Sequence, residues 1–532
     1  MGSRLQFWDY LIFFIYFIVV ATYGIYIYNQ KRSKIASTTD YFLAEGSLTW
    51  WAIGASLIAS NISAEQFIGM AGNGFFMGLG ISSYEWMAAA TLMVVAIFFM
   101  PIYLKNKIFT MPQFLNMRYN QTVSTIMAIF WLILYIFVNL CAILYLGALA
   151  VSTISGIDFT VCMIGLAIFA VIITLGGMKV IGYTDVIQVF FLVIGGLATT
   201  YMAINLVSSN FGTGGIMNGL QVMKQTSDDH FHMIYHKGTP HYMALPGLAV
   251  LFGGMWIVNL NYWGCNQYIT QRALGADLKT ARQGILFAAS LKILMPVIVT
   301  LPGIAAYVLY QKGMFQTEML KDGVLNQDNA YPVLLNLLPV GLKGLSFAAL
   351  TAAIVASLAG KVNSISTIFT LDLFKKFAHP DYSEAKLIAI GRWTIIGAMV
   401  ISIAAAPYMG IDKKGGFQFI QEMTGLVSPG LFAAFFMGLF WKKANSAGAM
   451  FSIIGGFCIS LYTYYYVTDV PFIDRMGYVF LVCVAVIILL GLWKPSTKGF
   501  ELDADMFKMD NKFALGALGI LAALVAIYYT FW

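Results

Sequence analysis

A chain of 532 residues that is 60% hydrophobic and only 10% charged cannot cover itself with the polar surface a soluble protein of this length needs. Apolar runs of about 20 residues recur from end to end, so the chain reads as an all-α polytopic membrane protein. A β-barrel is excluded, because it would alternate with period two in units of about ten residues. The formal net charge of +7 gathers mostly in loops predicted to face one side of the membrane and is no nucleic-acid signal.

The first run, FWDYLIFFIYFIVVATYGIYIY, covers 7–28; it is too long for the core of a signal peptide and lacks a cationic start, so it is expected to stay as a helix. Further spans are expected at 48–78, 80–104, 122–154, 159–176, 182–206, 244–264, 284–311, 342–372, 386–409, 415–441, 446–467, 473–493 and 512–531, about fourteen in all. They fall into an extra N-terminal helix with a basic inner loop (1–47), a first group of five (48–206), an outer loop (207–243), a second group of five (244–441) and three C-terminal helices (442–532).

The loop after the first span holds Lys31, Arg32 and Lys34, and every second loop after it is basic again. Lys105, Lys107 and Arg118 lie in one, Lys179 in the next, then Arg272, Lys279 and Arg282, with further lysines at 375–386, 442–443 and 494–512. The positive-inside rule puts these loops in the cytoplasm, and so puts both termini of a multi-pass inner-membrane protein outside. An odd number of spans per group inverts the second group relative to the first, the plan of many secondary transporters. Count and charge carry that inference, since no self-similarity between the groups is visible.

Two outer loops are long, 207–243 and 312–341, and the first holds DDHFHMIYHKGTPHY. Four histidines so placed could bind a metal, but such a cluster in an exposed loop is more often incidental. The five cysteines fit no metal or disulfide spacing and read as buried thiols.

The first span of each group is interrupted by polar residues. ASNISAEQF sets Asn61, Ser63, Glu65 and Gln66 in hydrocarbon, and NLNYWGCNQY does the same at the inner end of the other. Such residues are costly in a bilayer unless they line a cavity or pair with one another. Unwound backbone offers carbonyls to a small hard cation, and Asn61, Gln66 and Glu85 offer donors and acceptors to a polyhydroxylated ligand. Interhelical hydrogen bonding is the plainer alternative. Away from span ends, Lys292, Lys361 and Arg392 are the cations within spans. Lys292, in LFAASLKILMPVIV, has no acid near it in sequence; the ligand or Glu85 would relieve it, and a purely structural ion pair is the alternative.

ASLIASNISAEQFIGMAGNG, SYEWM, YIFVNL, YTDVIQVFFLVIGG, YWGCNQYITQR, AAIVASLAGKVNSISTIFTLD and QEMTGLVSPG together resemble the solute:sodium symporter family, in order and over nearly the whole chain. The resemblance implies a LeuT-like core of five-plus-five inverted helices, one helix before it and three after. It implies sodium-coupled symport of a monosaccharide, galactose or glucose, by alternating access. The sugar site it implies takes Asn61, Gln66 and Met70 from the first core helix, and Tyr84 and Glu85 from the second. Asn139 joins from the third, Asn259, Tyr262 and Trp263 from the sixth, Lys292 from the seventh and Gln421 from the tenth. Tyr262 would be the inner gate, stacked on the sugar ring. Sodium is expected at the carbonyls of Ala59, Ile62 and Ala353 and the hydroxyl of Ser357, with Asp185 on its inner path. A capping role for Asp185 at a helix start is the alternative.

Three positions depart from the pattern. Ala356 stands where the family has a hydroxyl beside Ser357, Lys361 where it has an apolar residue, and Ala88 where the sugar site has a hydroxyl. These point to sodium-independent or proton-coupled transport, or to another polyol such as inositol, as the competing functions. Lys361 follows Ser357 by one helical turn and lies about 16 Å from the inner end, too deep to snorkel, so its ammonium needs an internal partner. Asp185 is the expected one, and sodium is expected to bind more weakly for it. An enzyme is set aside: all five histidines lie outside the spans, no HExxH occurs, and GLSFA has no membrane base beside it. A channel would need a ring of repeated ligands, and none is present in the sequence. The partners expected are therefore a monosaccharide, sodium and the lipid bilayer; oligomeric state is not legible.

Overall fold

The computed structural model describes residues 5–31, 41–42, 48–321, 323–378, 381–408 and 416–532. Arg32 and Lys34 of the first basic loop lie outside them. Helix underlies every predicted span where residues are described. Among the described residues, ten helical stretches are long and apolar enough to cross a membrane, or eleven if the bent pair Gly416–Gly425 and Ser428–Phe440 counts as one. The difference from fourteen has identifiable causes. Span 48–78 is split after Trp50–Asn61, span 159–176 yields the 16-residue helix Phe159–Thr174, and span 244–264 is divided into short pieces. A 3-10 turn, Gly78–Ser82, joins the first split helix to the next; Gly78 takes φ 77°, which glycine adopts without steric cost.

Leu342–Thr367 is the centre of the bundle: 94% of its apolar window is buried. Met178–Asn210 packs along it, and Leu278–Gln311 packs in turn on Met178–Asn210 and crosses Trp50–Asn61 where Gly54 faces Gly284. A Cβ on either glycine would run into the opposite helix, so the crossing depends on both being bare.

Loop contacts order the two ends of the bundle. Asp9 Oδ1 accepts from the backbone N–H groups of Gly341 (2.8 Å) and Gly344 (3.0 Å), at the end of one long loop. His232 Nδ1 meets the Trp532 carbonyl at 3.0 Å, which ties the C-terminus to the other. The basic loops meet one another too: Arg118 donates to the carbonyls of Gly438 and Trp441, and Arg282 to that of Lys508. Arg118, Arg272 and Arg282, read from sequence as loop charges, are buried and bonded to backbone. The four loop histidines diverge. His230 stacks on Tyr307, His232 turns to the C-terminus and His241 packs on Phe76, and no metal-holding group of His, Cys, Asp or Glu occurs among the described residues.

Candidate functional site

The site is built on two interrupted helices. Trp50–Asn61 ends at Ile62, whose backbone is extended (φ −80°, ψ 108°), and helix resumes as the wide-turned Glu65–Met70. Polar side chains hold the gap open. The Ser63 N–H, which would otherwise close a turn onto Ala59, donates to Gln66 Oε1 at 3.0 Å, and the Glu65 N–H donates to Ser63 Oγ at 3.1 Å. The Ser60 carbonyl accepts from Ser357 Oγ at 3.0 Å, which joins the break to Leu342–Thr367. The second interruption lies after Asn261–Cys265, at the extended Asn266. There Tyr103 Oη donates to the Gly264 carbonyl (2.8 Å) and Tyr135 Oη to Asn266 Oδ1 (3.0 Å). Backbone freed by unwinding is thus either paired with protein or left facing the gap.

The two interruptions meet at the sugar-type residues. Asn61 Nδ2 donates to Tyr262 Oη at 2.9 Å, and Lys292 Nζ donates to both Asn61 Oδ1 and Glu85 Oε2. Lys292 also lies over the Trp263 ring, 5.2 Å from its centroid. Five of the residues expected around a sugar, Asn61, Glu85, Tyr262, Trp263 and Lys292, therefore form one connected cluster. All but Tyr262 are buried, and Tyr262 is half-buried. Gln421 Nε2 donates to Glu65 Oε1 at 3.2 Å, and Tyr84 packs edge-on against Phe417, 5.1 Å between centroids. The other expected residues are less engaged. Asn259 donates to the Met255 carbonyl one turn back, while Met70 and Asn139 are buried without joining the cluster's bonds. Gln66 spends its carbonyl oxygen on the break, which leaves its Nε2 as the group turned to other partners. A separate cavity of 520 Å³ is lined in part by Phe76, His241, Gln418, Glu422 and Arg475.

The cation side differs from expectation at one contact. Lys361 Nζ lies 3.5 Å from Ser357 Oγ and 4.4 Å from the centre of the Tyr268 ring. It does not pair with Asp185. Asp185 Oδ2 instead accepts from Ser56 Oγ at 2.5 Å, and Ser56 Oγ accepts from Arg272 Nε at 2.9 Å. The reason is the second interruption, which turns Gln267–Leu274 so that Arg272 reaches Ser56 and supplies the positive charge near Asp185. Nor does Asp185 cap a helix: Met178–Asn210 starts two turns earlier, at Gly177. Two residues that matter here, Glu65 and Arg272, are not among the expected ligands. Glu65 was visible as a buried acid in the interruption, whereas Arg272 was masked by its place in a basic loop. Around them Ser60 Oγ, Gln188 Oε1 and Arg272 Nη2 are buried with no hydrogen-bond partner in the structure.

Interrupted helices carrying convergent polar groups at mid-bundle define a secondary transporter. Residues 41–456 match the Sodium:solute symporter family. The chain belongs to that family, and it is a sodium-coupled solute symporter, a multi-pass membrane protein. It is 45% identical to a sodium/glucose cotransporter of Vibrio parahaemolyticus over 540 aligned positions, covering 99% of each chain. It is 34% identical to human sodium/myo-inositol cotransporter 2 over 479 positions, covering 85% of this chain and 69% of that one. Its fold is that of a Na+-coupled sialic acid symporter solved in a substrate-bound outward-open state, with a TM-score of 0.80 and 23% identity over 93% of this chain and 99% of the other.

Proposed function

We propose that this chain carries a monosaccharide, galactose or glucose, into the cell together with sodium. The observation that carries the reading is the Asn61–Glu85–Tyr262–Lys292 cluster at the meeting of two interrupted helices. Its groups now satisfy one another; sugar hydroxyls would replace those mutual contacts, with the Tyr262 and Trp263 rings taking the sugar's C–H faces. Gln66, Met70, Tyr84, Asn139, Asn259 and Gln421 complete the proposed lining. Sodium would sit at the carbonyls of Ala59, Ile62 and Ala353 with the Ser357 hydroxyl, an all-oxygen set suited to a hard cation. It would leave inward past Asp185. One sodium ion falling through about 100 mV releases about 2.3 kcal/mol, and a tenfold gradient adds about 1.4 kcal/mol, enough for roughly 500-fold accumulation of a neutral sugar at one-to-one coupling.

The same reading includes fourteen crossings, an inverted five-plus-five core over 48–206 and 244–441, and both termini outside. The contacts of Asp9 and Trp532 with the two long, weakly basic loops support that sidedness, as do the mutual contacts of the basic loops. Counterflow of labelled galactose, glucose and myo-inositol in proteoliposomes, with and without sodium, tests the proposal. Sodium-stimulated exchange of a hexose is expected; exchange of inositol alone, or exchange indifferent to sodium, refutes it.

A further inference from the structure

The cation side holds a charge of its own. Lys361 is buried at 1% exposure, one turn beyond Ser357, with its ammonium 3.5 Å from the Ser357 hydroxyl. That hydroxyl is the side-chain oxygen of the proposed sodium set, and it is already bound to the Ser60 carbonyl at the helix interruption. On the Ser357 helix itself, neither Ala356 nor Gly360 adds a hydroxyl to the set. A side chain at position 360 would collide with the Arg272 guanidinium and the Ser60 hydroxyl, so that flank is closed as well. The Tyr268 ring provides a cation-accepting face 4.4 Å from the ammonium. Glu65, in the same interruption, accepts from Gln421 Nε2 at 3.2 Å. The ammonium therefore sits against the one side-chain oxygen proposed for sodium.

We propose that Lys361 is a tethered cation competing with sodium for the Ser357 hydroxyl, so that sodium binds only by pushing the ammonium aside. This rests on the sodium-symport reading above and deepens it. A fixed positive charge within a few ångströms of an incoming monovalent cation opposes it strongly in a buried setting. Removing that charge should therefore tighten sodium binding, the reverse of what loss of a structural lysine would do.

The test uses the full-length protein and two readouts. Sodium binding without sugar is read as protection from thermal unfolding, with potassium as control; coupling is read as the half-saturating sodium concentration for counterflow. Lys361→Met is expected to lower half-saturating sodium about tenfold or more in both, and adding Ala356→Ser should lower it further. Lys361→Gln keeps a polar group against Ser357 and Tyr268 and gives the same result should the methionine variant not fold. If either folded variant binds sodium with the wild-type half-saturation, the competition is refuted while sodium symport stands. If neither wild type nor variant responds to sodium although hexose counterflow persists, both the competition and the sodium-symport reading fall.

Discussion

Removing one member of the Glu85–Lys292 pair separates a binding role from a structural one. Both side chains are nearly inaccessible, 4% and 1% exposed, and Lys292 also donates to Asn61 and faces Trp263. Glu85→Ala or Lys292→Ala leaves a buried charge uncompensated, which costs about 3–5 kcal/mol of stability. Each also removes a charged hydrogen bond to the ligand, worth about 1.5–3 kcal/mol, so half-saturating sugar should rise about 10- to 150-fold in whatever protein folds. The double variant Glu85→Gln/Lys292→Met removes both charges together. It should recover most of the lost stability, because no lone charge remains, yet keep the raised half-saturation. The assay pairs thermal unfolding in detergent with hexose counterflow over a concentration series. A double variant that unfolds at the wild-type temperature and transports with wild-type half-saturation would show that the pair only holds helices together.

Gln66→Ala is expected to abolish sugar uptake in folded protein; Gln66→Glu, which keeps an acceptor for the Ser63 N–H but loses the amide donor, should do the same, and normal uptake by either excludes a ligand contact. Asp277 caps Leu278–Gln311 by accepting from the N–H groups of Lys279 and Thr280, so Asp277→Ala should lower stability by about 1 kcal/mol without changing sugar half-saturation. Burial holds the His230 imidazole below its usual pKa against the opposing bond to the Phe75 carbonyl. The neutral form is favoured in the folded protein, so its contribution is full above the ordinary histidine range and lost as pH falls through the lowered value. Unfolding temperature should drop between about pH 7 and pH 5, and drop less in His230→Gln. An equal drop in the two proteins assigns the effect elsewhere.

Much of this arrangement was legible because the bilayer makes polar residues conspicuous. Asn61, Glu85 and Lys292 stand out in apolar sequence, and the structure joins them in one cluster. The interruption at ASNISAEQF was legible for the same reason. What could not be read was direction. Lys361 is equally conspicuous, but whether it faces Asp185 or Ser357 depends on where Gln267–Leu274 turns after Asn266, a backbone event that hydropathy does not record. Arg272 escaped notice because charge counting treats each basic residue near a span end as a loop marker, although this one is fully buried against Ser56. The two span counts differ for a related reason: broken helices keep their hydropathy while losing their length.

The geometry also bears on why ion and solute should move together. On the proposed assignment, adjacent residues at the end of one helix serve the two sites. The Ser60 carbonyl binds Ser357 on the cation side, and the Asn61 amide binds Tyr262 and Lys292 on the sugar side. A cation drawing on the Ser357 hydroxyl must alter its hold on Ser60. Asn61 cannot stay fixed while its neighbour shifts, because the two are the last residues of Trp50–Asn61, directly before the break at Ile62. The converse follows by linkage: a sugar that captures Asn61 and Lys292 biases the position of Ser60 and so the affinity for the cation. Coupling on this account needs no long pathway. It needs only that the first interrupted helix remain unwound, which Gln66 and Ser63 ensure. A substitution that restored continuous helix across 62–64 should therefore weaken both ligands at once, whereas one confined to Lys292 or to Lys361 should act first on its own side.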